Sequence, residues 1–199
     1  MREQPFAGLI LIGGASTRFG ADKAHALFHG EPLLTRAVRR ALLLCPTVAV
    51  VAPDPERYRS LVPAGTVLLS DEGVTPTPLA GLTAGLAWCP TAAAFLWACD
   101  MPFSQDHALA AGLSSALGDA DAAAPWWRGH PEPLCALYKT SCLTAARILA
   151  ANGAGPRALL QHVRTHFFDY AAAFPNDTQA RPLQDADTPE ALRAFSAVE

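Results

Sequence analysis

The residues best suited to chemistry stand around a pair of glycines near the start of the chain. From Gly13 to Lys23 the sequence reads Gly-Gly-Ala-Ser-Thr-Arg-Phe-Gly-Ala-Asp-Lys, directly after the apolar run Phe6–Ile12. Gly13 and Gly14 let backbone N–H groups approach a phosphate with no Cβ in the way. Ser16 and Thr17 add hydroxyl donors, and Arg18 and Lys23 bring two positive charges to the same loop. Such a set suits a polyanion, above all one whose charge grows as pyrophosphate departs. It is not a Walker A loop, because no Gly-Lys-Ser/Thr follows Gly20. Nor is it the dinucleotide fingerprint, which needs another glycine spacing and an acidic residue about 20 positions further on. An ordinary strand-to-loop turn with surface cations is the plain alternative for the glycines taken alone.

A carboxylate far down the chain can meet those phosphates. The run Ala93–Ala98 is apolar throughout, as in a central strand, and ends in Cys99-Asp100-Met101-Pro102-Phe103. In an open α/β sheet, ligands lie beyond the carboxyl ends of the strands, so Asp100 is a candidate metal ligand. Magnesium suits a site of one or two carboxylates completed by substrate oxygens. The same Asp could instead cap a helix, but Ser104 is better placed to cap the predicted helix Gln105–Leu117. In the tail, Thr188, Pro189 and Glu190 make a good start for a helix over Ala191–Ala197. That start does not require Asp185 and Asp187, which become candidate partners of Asp100 at the metal.

Other features carry two readings each. Small residues Ala80, Gly81, Ala84 and Gly85 sit at the start of a helix predicted from Leu79 to Trp88. They permit close approach to a flat base, or tight packing on a sheet. Trp126-Trp127-Arg128, read as a loop, can stack on a planar heterocycle or close the edge of the core. The histidines show no metal spacing and read as structural or exposed.

These side chains need a frame. A chain of 199 residues with 51% hydrophobic and 17% charged residues is read as one α/β domain over residues 1–199. Strands are predicted at Phe6–Ile12, Val48–Ala52, Thr66–Leu69, Ala93–Ala98, Ala120–Pro125, Pro133–Tyr138 and Val163–Tyr170. Between them, helices are predicted at Pro32–Leu44, Glu56–Leu61, Leu79–Trp88, Gln105–Leu117, Ser141–Ala151 and Pro156–His162. The alternation implies parallel strands joined by crossover helices. A net charge of −3 argues against a general nucleic-acid binder. No run of about 20 apolar residues predicts a membrane span. The N-terminus carries no signal-peptide pattern, and the five cysteines show no Cys-x-x-Cys spacing. Reduced thiols in a cytoplasmic protein are therefore expected.

Several separate strings occur in order: Gly13 to Lys23, Gly30-x-Pro-Leu-Leu, Ser70-Asp71, Pro78-Leu-Ala-Gly-Leu82, Cys99 to Phe103, Pro133-Leu-x-Ala-Leu-Tyr138 and Asp187-Thr-Pro-Glu190. Together, from about Leu9 to Leu192, they resemble the molybdenum cofactor guanylyltransferase family. The resemblance implies a three-layer α/β/α, Rossmann-like nucleotidyltransferase fold with a mostly parallel central sheet. It implies transfer of GMP from GTP to the terminal phosphate of molybdopterin, with magnesium as cofactor. Molybdoenzyme apoproteins or other cofactor-synthesis proteins are the partners it suggests. Combined with the loop and helix-start readings, it implies a nucleotide site of Leu11, Ile12, Gly13, Gly14, Lys23, Asp71, Gly81 and Asp100. In that set Asp71 serves the guanosine portion. Arg18, Lys23 and Asp100 are the expected catalytic residues, and Asp100, Asp185 and Asp187 the expected metal ligands.

The chain departs from the family pattern in places. Ile12 replaces the usual Ala and Phe19 the usual Met, both apolar changes. No Asn follows the second strand near Ala52-Pro53. Asp185-x-Asp187 stands where the family shows Asn-x-Asn, and is similar to cytidylyltransferase relatives that use CTP. Those relatives have Ala-Ala-Gly in the first loop and lack Cys-Asp-Met-Pro-Phe, which favours guanine. A sugar-phosphate nucleotidyltransferase of the same fold and a non-catalytic carrier of nucleotide or cofactor are the other readings. Arg18, Lys23, Asp71 and Asp100, all present, speak for an enzyme.

Overall fold

Apolar runs without polar alternation, at Ala7–Leu11, Val48–Ala52 and Ala93–Ala98, form adjacent parallel strands buried on both faces. The computed structural model describes residues 6–13, 22–71 and 77–196. In chain order the elements begin with β1 (Ala7–Leu11), a 3-10 turn at Lys23–His25, the short ribbon β2 (Leu27–Phe28) and β3 (Glu31–Pro32), and α1 (Leu33–Ala41). Then come β4 (Val48–Ala52), a 3-10 helix at Pro55–Leu61, β5 (Val67–Ser70), α2 (Pro78–Trp88), β6 (Ala93–Ala98) and α3 (His107–Leu117). The second half holds β7 (Ala122–Trp127), β8 (His130–Pro131), β9 (Cys135–Lys139), α4 (Leu143–Ala151), α5 (Pro156–His162), β10 (Thr165–Asp169), α6 (Tyr170–Ala173) and α7 (Pro189–Ser196).

The main sheet runs β10-β7-β9-β6-β1-β4-β5, with β8 hairpinned onto β7. All pairs along that path are parallel except those of β9, which lies antiparallel to both β6 and β7. One face carries Ile10, Val50, Phe95 and Trp97 against α1 and α3. The other carries Leu9, Val51 and Leu96 against α2, α4 and α5. This is the expected three-layer α/β/α arrangement with a mostly parallel sheet.

Local differences from the sequence reading have local causes. The predicted helix Gln105–Leu117 begins two residues later, at His107, because Asp106 rather than Ser104 is the cap: its Oδ1 accepts from Leu109 N at 2.9 Å. The Ser104 hydroxyl donates instead to Met101 O at 2.8 Å inside a buried turn. The predicted helix Pro32–Leu44 is shorter, Leu33–Ala41, with Pro32 still in the ribbon. Trp126 and Trp127 belong to strand β7 rather than a loop. The turn that follows places Arg128 at φ 49° and Gly129 at φ 84°, the left-handed pair that a two-residue hairpin requires.

Gly85 shows how closely α2 lies on the sheet. A Cβ at this position would stand 2.5 Å from Leu9 Cδ1 and 3.0 Å from Cδ2. Leu9 is fully buried, so its side chain can yield only by shifting within the core. Gly85→Ala is expected to lower stability by about 1–3 kcal/mol, despite alanine's higher helix propensity. Denaturant unfolding checks this; stability equal to the parent's would show a looser helix-sheet contact.

Candidate active site

The parallel strands bring their carboxyl ends to one edge of the sheet, and the selected residues follow directly. Ile12 and Gly13 follow β1, Asp71 follows β5, and Cys99-Asp100 follows β6. Backbone hydrogen bonds carry the ladder beyond the strands: Ile12 N donates to Val51 O at 2.9 Å, Cys99 N to Leu11 O at 3.0 Å, and Asp71 N to Ala52 O at 3.2 Å. Gly13 is exposed, with nothing within 4 Å of where a Cβ would stand.

Lys23 arrives from the turn after the glycine loop. Asp22 caps that turn, its Oδ1 accepting from Ala24 N at 3.0 Å. The Lys23 ammonium donates to Asp100 Oδ2 at 2.9 Å and to Asp187 Oδ1 at 2.7 Å. Asp187 is delivered by the tail. Ala186 N donates to Asp100 O at 2.8 Å, Ala186 is fully buried, and Thr188 Oγ1 accepts from Ala191 N to start α7. Residues separated by 77 and 164 positions in sequence thus share one charged cluster.

Its electrostatics are lopsided. Partial burial works against the Lys23 charge, but hydrogen bonds to Asp187 and Asp100 and their negative charges outweigh it, so the ammonium is held above the ordinary lysine value. Asp185 is pushed up by burial first, then by the charges of Asp187 and Asp100. Asp71 is also raised by burial. Glu132 joins the same field: burial raises it, the neighbouring Asp185 and Asp100 charges add to this, and Leu134 N, bonded to its Oε1 at 2.9 Å, works the other way. Sequence reasoning passed over Glu132. Its signal was present, since it is the sole acidic residue between Asp121 and Asp169 and lies between two prolines.

A carboxyl whose folded value is raised favours the fold when protonated. That contribution is complete below the ordinary aspartate value of about 3.9 and is lost as pH rises through the raised folded value. Asp185→Asn is therefore expected to raise the melting temperature at neutral pH by about 2 °C, with the gain shrinking to nothing in acid. Thermal melts across pH check it; a gain that persists below pH about 3.9 would contradict the cause.

Asp100 and Asp187 already present carboxylate oxygens to one shared cation, the lysine ammonium. Hard oxygen donors of this kind fit magnesium. Among the described residues, no group of three or more His, Cys, Asp or Glu side chains is arranged to enclose a metal. A magnesium ion here would complete its shell from substrate oxygens and water, as it commonly does.

The other sequence-selected residues fall as follows. Leu11 and Gly81 are buried against each other, with Leu11 Cδ2 3.1 Å from where a Gly81 Cβ would stand. Gly14 and Arg18 lie outside the described residues, as do Ser16 and Thr17. Trp127 packs edge-on against Tyr170 at 5.8 Å, with the Arg128 guanidinium 5.2 Å above its ring. Trp126 stays 38% exposed, its edge on Phe167. All five cysteines are free thiols. Among the described residues no helix is long and apolar enough to cross a membrane.

The chain has relatives. Residues 8–167 match the family described as MobA-like NTP transferase domain. A protein of Nostoc sp. designated probable molybdenum cofactor guanylyltransferase is 37% identical over 79% of this chain and 76% of its own length. One of Chloroflexus aggregans with the same designation is 36% identical over 96% of this chain and 93% of its own. The crystal structure of molybdopterin-guanine dinucleotide biosynthesis protein A from Archaeoglobus fulgidus superposes with a TM-score of 0.81 at 19% identity. The match covers 97% of this chain and 98% of that one, and shows the shared fold. A fold, a strand-end cluster of lysine and aspartates, and relatives of this similarity lead to one conclusion: the chain belongs to the MobA-like NTP transferase family.

Proposed function

We propose that the chain transfers GMP from GTP to the terminal phosphate of molybdopterin and releases pyrophosphate. The observation that carries this is the meeting of Lys23 with Asp100 and Asp187 at the carboxyl edge of the sheet. Relatives named for guanylyl transfer, one matched over 96% of this chain, supply the nucleotide and the acceptor.

An oxygen of the acceptor phosphate attacks the α-phosphorus in line. A new P–O bond forms as the bond to the β-phosphate oxygen breaks, and the electron pair leaves with pyrophosphate. No general base is needed, because the attacking phosphate is already an anion at neutral pH. The protein's task is positioning and charge neutralisation. Lys23 and Arg18, with the amides after β1, hold the β- and γ-phosphates. Ile12 and Gly13 border the nucleotide, Asp71 takes the guanosine portion, and Leu11 and Gly81 form the floor beneath it. Asp100, with Asp185 or Asp187, would hold magnesium, which would supply charge neutralisation at the reacting phosphates. Free thiols support a reducing, cytoplasmic setting. Molybdoenzyme apoproteins are the proposed recipients of the product.

A pyrophosphate-release assay with GTP, CTP and ATP, each with and without molybdopterin, tests this. Release with GTP that depends on molybdopterin is expected. Asp185-x-Asp187 favours one second reading, the use of CTP, and faster release with CTP would select it. Nucleotide binding without any release would leave a carrier.

A further inference from the structure

The turn that presents Lys23 is held from its far side by Tyr58. This side chain is 5% exposed, and its hydroxyl donates to Asp22 Oδ2 at 2.9 Å. Arg57 Nη2 stands 3.3 Å from the same oxygen. The other Asp22 oxygen accepts from Ala24 N. Asp22 therefore ties the helix Pro55–Leu61 to the residues on either side of Lys23.

We infer that Tyr58 is a positioning residue that acts through Asp22 to fix the direction in which the Lys23 ammonium enters the site. This rests on the proposed transfer reaction. A three-residue 3-10 turn has little rigidity of its own, and a lysine gives up much rotamer freedom when its ammonium is fixed. An O–H···O⁻ bond to an ionised carboxylate is stronger and more directional than a neutral one. The ring alone would fill the core equally well as phenylalanine. What tyrosine adds is the bond to the residue that precedes the lysine. Burial and the Asp22 carboxylate push the phenol up to about 12, so it stays a donor through the working pH range.

The test is Tyr58→Phe. The kcat/KM for GTP is expected to fall about tenfold, because small misplacements of a catalytic group cost that much or more. The melting temperature should drop by no more than about 4 °C. In a Lys23→Ala background, Tyr58→Phe should cause no further loss, since the two act as one unit. A second readout is independent of turnover. The chain has two lysines, Lys23 and Lys139. Acetic anhydride labelling read by mass spectrometry should modify Lys23 about threefold faster in Tyr58→Phe, with Lys139 unchanged. Asp22→Asn should reproduce both effects. Activity within twofold of the parent, an equal loss in both backgrounds, or unchanged labelling of Lys23 would overturn the inference. If the parent protein releases no pyrophosphate with any nucleotide, the transfer reading fails, and the labelling still reports whether Tyr58 holds the lysine.

Discussion

Lys23→Ala is expected to lower turnover about a hundredfold, equivalent to roughly 3 kcal/mol of transition-state stabilisation. The lysine sits only 17% exposed between two carboxylates, where a positive charge acts through less screening than on the surface. In the proposed transfer, negative charge accumulates on the β- and γ-phosphates as pyrophosphate departs, and a fixed Lys23 ammonium would meet it without reorganisation. The loss should fall on kcat more than on KM for GTP, because the interaction strengthens in the transition state. Lys23→Arg should restore little: a planar fork cannot donate to Asp100 and Asp187 from the position of a compact ammonium. Lys23→Ala also leaves the Asp100 and Asp187 carboxylates without their shared cation. A stability loss of about 1–2 kcal/mol is expected, modest because Asp187 is 49% exposed. The Lys23 value is raised in the fold, so its contribution is fully present below the ordinary lysine value of about 10.4 and is lost as pH rises through the folded one. Steady-state pyrophosphate release at saturating GTP measures the main effect. Turnover within threefold of the parent would confine the lysine to a resting ion pair.

How much of this was legible in the residues follows from which interactions are local. The β1 and β6 runs are apolar on both faces, which only a central strand tolerates, so their positions were plain. The strand-end rule then placed Lys23 and Asp100 on one edge, and the structure joins them. Asp187 was visible only as an acid that the following helix did not need. Its ion pair with Lys23, 164 positions away in sequence, depends on the tail crossing back to Asp100. The direction of β9 was readable from its connection: seven residues separate the predicted strands Ala120–Pro125 and Pro133–Tyr138, too few for the crossover that a parallel neighbour needs. Ser104 and Asp106 are both competent caps; the turn that buries Ser104 decided between them. The role inferred for Tyr58 was hidden, because its bond is to Asp22, 36 positions away in the chain, and the residue type does not announce it.

Asp100→Asn probes the other half of the cluster and is expected to cost about a hundredfold in turnover as well. The substitution keeps size and removes one charge. The tail stays docked, because Ala186 N bonds to the backbone oxygen of residue 100 and not to its side chain. Lys23 keeps Asp187 as a partner, so folding should be little affected. In the proposed site, what is lost is a hard anionic ligand for magnesium, and an amide oxygen binds that ion more weakly than a carboxylate. The concentration of magnesium needed for half-maximal rate should therefore rise, while KM for GTP at saturating metal changes less than about threefold. Asp187→Asn should show the smaller effect, since that side chain is twice as exposed as Asp100, at 49% against 24%. Equal turnover in Asp100→Asn and the parent, with both folded, would separate this carboxylate from the reaction and leave its contact with Lys23 as a purely structural one.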